Sequence, residues 1–356
     1  MGGKAQTSTG QLQPATNLPC PILAISFYRM GGKPQIPTTA ERILNSRMIR
    51  ILGTIFAGLL GLAFGSFLNV CLSRWPEGES IVSPRSHCRN CARTLAWWEN
   101  IPLVSWLALR GRCRRCRAWI SWRYPLVELA LGGLWAYQVW RFLGLIIGPD
   151  SRINLNPQCV MQSPFCHVSI YNDVAMAAGV CIFCWLAVAL AFLDAENLWL
   201  PNRITLPGIV IGIAYYIAYH GLGSRYTHIV SASAAVSTLG CVIDSISSAI
   251  LAAGLILLIR WLYWLIRRRE GIGLGDAKLM AMLGAWLGLP GALLSFGIGV
   301  VLAALVGVIV LVRGRGDWES TATTKLPLGT FLCIGGIVSA LWGDQIINAY
   351  LRWSGL

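Results

Sequence analysis

The chain has 356 residues, of which 55% are hydrophobic and only 12% charged, and this excludes an ordinary soluble domain, where roughly 25% are charged. Its 16 tryptophans suit the aromatic belts of a membrane interface. Several apolar runs reach the ~20 residues that a helix needs to cross about 30 Å of hydrocarbon. The net charge of +14 does not argue for nucleic acid. No recognition fold accompanies it, and the positive residues gather beside apolar spans, as cytoplasmic loops do under the positive-inside rule.

Residues 1–47 are polar, with one apolar run, Cys20 to Tyr28, too short to span. They read as a disordered arm or as sequence ahead of a true start at Met48. The arm's Lys4, Arg29, Lys33, Arg42, Arg47 and Arg50, opposed by Glu41, have the wrong sign for the outer side on which helix alternation places them. A start at Met48 removes most of that conflict, and an N-terminal mass measurement decides between the two. Residues 48–71 hold the first span, and 72–124 form a hydrophilic insert. The region 125–356 is a transmembrane core with further spans at about 125–147, 174–193, 204–219, 242–265, 277–289, 293–312 and 328–350. The expected fold is an all-α polytopic membrane protein with about eight transmembrane helices and a small cytoplasmic zinc-binding insert between the first two.

Arginine sets the orientation. Ten arginines lie between Arg74 and Arg123, which puts the insert in the cytoplasm. Alternation then brings the loops 194–203, 266–276 and 313–326 to the same side, with Arg203, the Arg267–Arg269 triplet, Arg313, Arg315 and Lys325. The opposite loops hold little beyond Arg152 and Arg225.

The insert contains Cys88-Arg-Asn-Cys91 and Cys113-Arg-Arg-Cys116. Two Cys-x-x-Cys knuckles at this separation are the donor set of a tetrahedral Cys₄ zinc site, here preferred to a redox dithiol or an iron–sulfur centre. With four sulfur ligands the metal is structural. It supplies folding energy that an insert of this size cannot draw from an apolar core. His87 reads as an exposed loop histidine. Cys159 and Cys166 fall in a loop on the outer side, where they are either a disulfide or free, and Cys181 and Cys184 read as packing residues.

From Asp173 to Val312 the acids are Asp173, Asp194, Glu196, Asp244, Glu270 and Asp276. A carboxylate at membrane depth costs roughly 2.5–3.5 kcal/mol on insertion scales, so each is a functional candidate. Asp194 ends one apolar run and Asp276 opens another, after Gly273-Leu-Gly275. The topology sets both at the cytoplasmic edge, at one depth. Two such carboxyls brought together share a proton, an arrangement suited to acid–base attack on a peptide carbonyl. Gly273 and Gly275 allow close backbone approach. Glu128, at the start of the second span, is either a site-lining acid or an interfacial one, and Asp244 reads as structural or outward-facing.

These residues together resemble the type IV prepilin peptidases (leader peptidase/N-methyltransferases), intramembrane aspartic peptidases of the GxGD type. The resemblance runs through Gly65-Ser-Phe-Leu-Asn-Val-Cys71 with Arg74 and Pro76, the cysteine tetrad, and Trp97-Trp-Glu-Asn-Ile-Pro102. It continues through Leu109-Arg-Gly-Arg-Cys113, Arg123-Tyr-Pro-Leu-Val-Glu128 and Asp194 with Leu200-Pro-Asn202. Gly273-Leu-Gly-Asp276-Ala-Lys278 and Pro327-Leu-Gly-Thr-Phe331 complete it. Thr330 stands where proline is usual, and Asn202 where an acid is frequent. The resemblance implies a bacterial inner-membrane enzyme with catalytic Asp194 and Asp276, supported by Gly273, Gly275, Lys278 and Glu128. It implies cleavage of the basic leader of type IV prepilins or pseudopilins at the cytoplasmic edge of the bilayer, and methylation of the new N-terminus from S-adenosylmethionine. Methylation is inferred from the insert, since no glycine motif for the donor is visible. The partners expected are the prepilins and the lipid bilayer, with no nucleic acid. The competing classes are an ion-coupled transporter, whose intramembrane acids bind ions, and a membrane redox protein built on the Cys-x-x-Cys pairs.

Overall fold

The computed structural model describes residues 39–147, 164–221, 234–268, 273–313 and 326–355. Long helices dominate: α1 (Thr39–Arg74), α3 (Arg123–Ile147), α4 (Pro164–Asn197), α5 (Asn202–Tyr216), α6 (Ala234–Arg267), α7 (Leu274–Arg313) and α8 (Leu328–Ser354), with the short α2 (Val104–Ala108) inside the insert. The described residues contain no β-strand, only isolated bridges pairing His87 with Thr94 and Arg112 with Trp119. Stretch 39–47 of the expected arm is helical and runs straight into the first span; the rest of the arm lies outside the described residues. So does Cys159, and the side chain of Cys166 is likewise outside them.

Six of these helices are long and apolar enough to cross a membrane, against the eight spans expected. The difference comes from two places. Helix α5 has only 15 residues before a π-helical turn, Ile217–Gly221, carries it on. Helix α7 contains two expected spans in 40 residues, interrupted at Gly288 (φ 68°, ψ 176°) just before Pro290. A straight helix would put Leu283 and Ser295 about 18 Å apart. Instead both meet adjacent positions of α8, Leu283 at Gly336 and Ser295 at Gly335. The chain therefore doubles back at Gly288, where a side chain would be strained.

Helix α4 runs through the middle, and Phe183, Ala187, Leu190 and Leu193 are fully enclosed. Around it pack Leu68 of α1, Leu131 of α3, Ile256 of α6, Leu279 and Leu283 of α7, and Leu332 of α8. The lipid-facing flanks of α1, α6 and the second arm of α7 stay exposed, for example at Phe56, Ile250 and Val301. This is the usual distribution of apolar surface in a bundle dissolved in lipid. Contact between α1 and α3 depends on small residues, as close packing within a bilayer does. A side chain on Gly61 would begin 2.6 Å from the Leu131 carbonyl oxygen, and one on Gly65 would begin 2.7 Å from Glu128 Cα.

Gly65→Val is accordingly expected to destabilise the fold by about 1–3 kcal/mol through overpacking, read as a lowered thermal transition of the detergent-solubilised protein. Gly254 has nothing within 4 Å, so Gly254→Ala should leave that transition unchanged or raise it slightly. An unaltered transition in the Gly65 variant would contradict the close approach of α1 and α3.

Candidate active site

Three helix termini converge at one end of the bundle. Asp194 lies in the last turn of α4, Asp276 in the first turn of α7, and Gly329 and Thr330 in the first turn of α8. Asp194 is buried. Its Oδ2 accepts the Thr330 backbone N–H at 2.7 Å and the Thr330 hydroxyl at 3.2 Å, and the Gly329 N–H also donates to the carboxylate. An unpaired helix N-terminus is a natural anion cradle because its first N–H groups have no carbonyl partner. Asp276 is half-buried. It accepts the Gly273 N–H, and its charge interacts with that of Asp194. Cys333, one turn along α8, is fully buried. The two acids that the sequence placed at one depth are thus neighbours in space.

Leu200 packs over the pair. Its Cδ1 would be 3.0 Å from a Cβ at Gly329 and 3.2 Å from one at Gly275, which explains why the second glycine before Asp276 has no side chain. Beyond Leu200 a cleft of about 640 Å³ opens between the turn after α1 and the α4–α5 connection. Lys278 lines it and donates to Asn202 Oδ1 at 2.7 Å.

The insert docks at the same end. Arg123 Nη1 meets Glu196 Oε2 at 2.6 Å, tying the start of α3 to the segment just past Asp194. Buried Glu128 accepts the Leu103 N–H at 2.8 Å and a hydrogen bond from Ser66. It therefore clamps the insert to α1 and α3, and it is not among the groups that meet the two aspartates. Asp244 is exposed on α6, away from this end.

Within the insert two equivalent hairpin turns carry the cysteines. In one, Cys88 N–H bonds Arg93 O at 2.9 Å; in the other, Cys113 N–H bonds Ala118 O at 2.8 Å. Each knuckle is followed by a residue at positive φ, Ala92 and Arg117. The four sulfurs of Cys88, Cys91, Cys113 and Cys116 lie within 4.8 Å of one another, with Cys88 Sγ and Cys116 Sγ 3.8 Å apart. A tetrahedron with metal–sulfur bonds of ~2.3 Å has an edge of roughly 3.8 Å, so the sulfurs fit around one ion. Hydrogen bonds from the Asn90 side chain and the Ala118 N–H pull the Cys116 thiol down to about 6. The N–H groups of Cys116 and Arg115 lower Cys113, whereas burial pushes Cys88 up to about 11. The lowered pair is drawn toward thiolate, the form that ligates metal. His87 is not part of the cluster.

Thr330 was visible in sequence only as a departure from a motif. Its partnership with Asp194 joins residues too distant along the chain for any local pattern to reveal, although a hydroxyl in a helix's first turn after Pro-Leu-Gly is a modest pointer.

Comparison with known proteins gives matches over both halves of the chain. The bacterial peptidase A24 N-terminal domain matches residues 59–142, and the type IV leader peptidase family matches residues 181–308. A prepilin leader peptidase/N-methyltransferase of Stutzerimonas stutzeri is 30% identical over 84% of this chain and 93% of its own length. A protein of that name from Pseudomonas aeruginosa is 32% identical over 83% of this chain and 93% of its own. One from Myxococcus xanthus is 36% identical over 78% and 69%. No solved structure matches the chain.

The Glu128 clamp has a direct consequence. Glu128→Ala leaves the Leu103 N–H without its acceptor, and hydrogen bonds to charged groups contribute about 1.5–3 kcal/mol. Trypsin should then cut the arginine-rich insert several-fold faster while the protein still inserts in membranes. Wild-type cutting rates would show that Glu128 does not hold the insert.

Proposed function

The chain belongs to the type IV leader peptidase family, and from that premise we propose that it removes the leader of prepilins or pseudopilins by acid–base catalysis at Asp194 and Asp276. It is a membrane-embedded aspartic endopeptidase that also N-methylates the product. The observation that carries the catalytic reading is that the two acids, from separate helices, stand at one end of the bundle with Leu200 packed against the glycine beside Asp194 and the glycine before Asp276. Of two carboxyls sharing a site, one holds a proton while the other is ionised. The ionised group takes a proton from the attacking water. The protonated one polarises the scissile carbonyl and then delivers its proton to the leaving amine. Thr330 and Gly329 hold Asp194 in place, Gly273 orients Asp276, and Gly275 leaves room for Leu200. Lys278, paired with Asn202, borders the approach, and Glu128 contributes through the insert.

The substrate's apolar helix lies in the bilayer with its basic leader in the cytoplasm. That side is assigned to the aspartates because the insert shares their end of the bundle and carries the arginine cluster. The setting is the bacterial inner membrane, with several spans. S-adenosylmethionine, when bound, would supply the methyl group to the amine that cleavage frees. For the tetrad we assign zinc held by Cys88, Cys91, Cys113 and Cys116. A closed four-sulfur site leaves no position for water, so the ion's contribution is to stabilise the fold. Neither the transporter nor the redox alternative draws support from the family or from this geometry.

Two experiments test these assignments. Asp194→Asn and Asp276→Asn, each alone, should reduce leader removal from a prepilin in purified membranes by roughly 10²–10⁴-fold, with insertion unaffected. Retained cleavage in either variant removes that residue from the mechanism. Elemental analysis under reducing conditions should find about one zinc per chain. Cys88→Ser should lose it and impair methylation more than cleavage. Equal loss of both activities would count against a separate role for the insert.

A further inference from the structure

We propose that the cleft between the turn after α1 and the α4–α5 connection binds the methyl donor, a sulfonium nucleoside carrying an amino-acid carboxylate. This inference rests on the family reading above, since it locates the second activity of the same enzyme.

Position is the first argument. Gly275 forms part of the cleft wall and directly precedes Asp276, while Leu200, another wall residue, packs against Gly329 beside Asp194. The cleft therefore begins where the carboxylate pair ends, next to the point at which cleavage frees an amine. Its volume of about 640 Å³ lies within the range of roughly 300–1,000 Å³ for small-molecule sites.

Chemistry is the second. Arg203 and Lys278 both line the cleft, and no acidic side chain does so among the described residues. Lys278 spends one donor on Asn202 and keeps others. Two cationic side chains offer donors for a carboxylate. Trp75 and Trp199 also line the cleft, and indoles suit a purine or a compact cation. A ligand combining an aromatic base, a sulfonium and a carboxylate can engage these groups together.

Construction is the third. The wall from Trp75 to Gly78 is held by arginines anchored toward the insert. Buried Arg74 donates to Ser80 O at 2.7 Å and Pro84 O at 2.6 Å. Arg89, lying between Cys88 and Cys91, reaches back to Ser73 O and pairs with Glu77. The cysteine knuckle thus sets the position of one side of the cleft while leaving the aspartates on their own helix ends.

The test uses the full chain in detergent and S-adenosylhomocysteine, the demethylated form of the donor, with affinity read by calorimetry. Trp75→Ala and Arg203→Glu should each weaken binding about tenfold or more, and Arg203→Lys should largely restore it. In the wild-type protein, which avoids any folding defect, the same ligand should slow hydrogen exchange in residues 74–80 and 198–204. Wild-type affinity in both variants, or protection confined to other segments, overturns the assignment. Leader removal on the same preparations separates the two readings. A protein that cleaves prepilin yet fails the binding tests loses only the cleft, whereas cleavage surviving Asp194→Asn removes the aspartate mechanism and leaves the binding result standing.

Discussion

The desolvation of two carboxyl groups governs this structure. Neither Asp194 nor Asp276 can be carried to the edge of the hydrocarbon without compensation, and the compensation is geometric. Asp194, at a helix C-terminus where the α4 dipole is unfavourable, is answered by the N-terminus of α8, whose Gly329 and Thr330 donors face it. Asp276 stands at the favourable end of its own helix and takes a further donor from Gly273. Both solutions need helix ends in a single place, so the termini of α4, α7 and α8 cannot be moved independently. The close glycine contacts of α8 with the arms of α7 keep them there.

Much of this was legible in the sequence because it follows from solvent. Apolar runs long enough to span, arginines beside them and paired Cys-x-x-Cys turns each carry a local physical requirement. Counting alternations was enough to bring Asp194 and Asp276 to one depth. The break in α7 also left a trace, since Gly288 and Pro290 interrupt the pattern between the runs 277–289 and 293–312. What the sequence could not reveal depended on partners far apart along the chain. Glu128 was read as site-lining or interfacial, and its true partner is a backbone N–H at Leu103, which any residue would present. Thr330 likewise acts through a contact with no sequence periodicity. The fading of α5 into a π turn beside Trp286 reflects tertiary packing, Tyr215 against Trp286 with ring centroids 5.0 Å apart, and local propensity offers no cue for it.

The insert follows a different logic from the bundle. It has few enclosed apolar residues and leaves Trp97, Trp119 and Trp122 largely exposed, so its order depends on point attachments. These are the sulfur cluster, the buried pairing of Arg93 with Glu99, the Glu128 clamp and the arginines that brace the turn after α1. These attachments reach the bundle at α1, α3 and the last turn of α4, so the order of the insert is coupled to the helix end that carries Asp194.

The reversal at Gly288 has a consequence for depth in the membrane. The arm of α7 that begins at Leu274 and carries Asp276 ends after 14 residues, about 21 Å of helix, against roughly 30 Å of hydrocarbon. Lipid does not meet this shortfall, because Leu279, Met280, Met282, Leu283 and Trp286 of the arm are enclosed by the neighbouring helices. A short arm walled by protein on its sides can end inside the bundle, so the depth of Asp276 is fixed by contacts with α6 and α8 and not by the thickness of the surrounding bilayer.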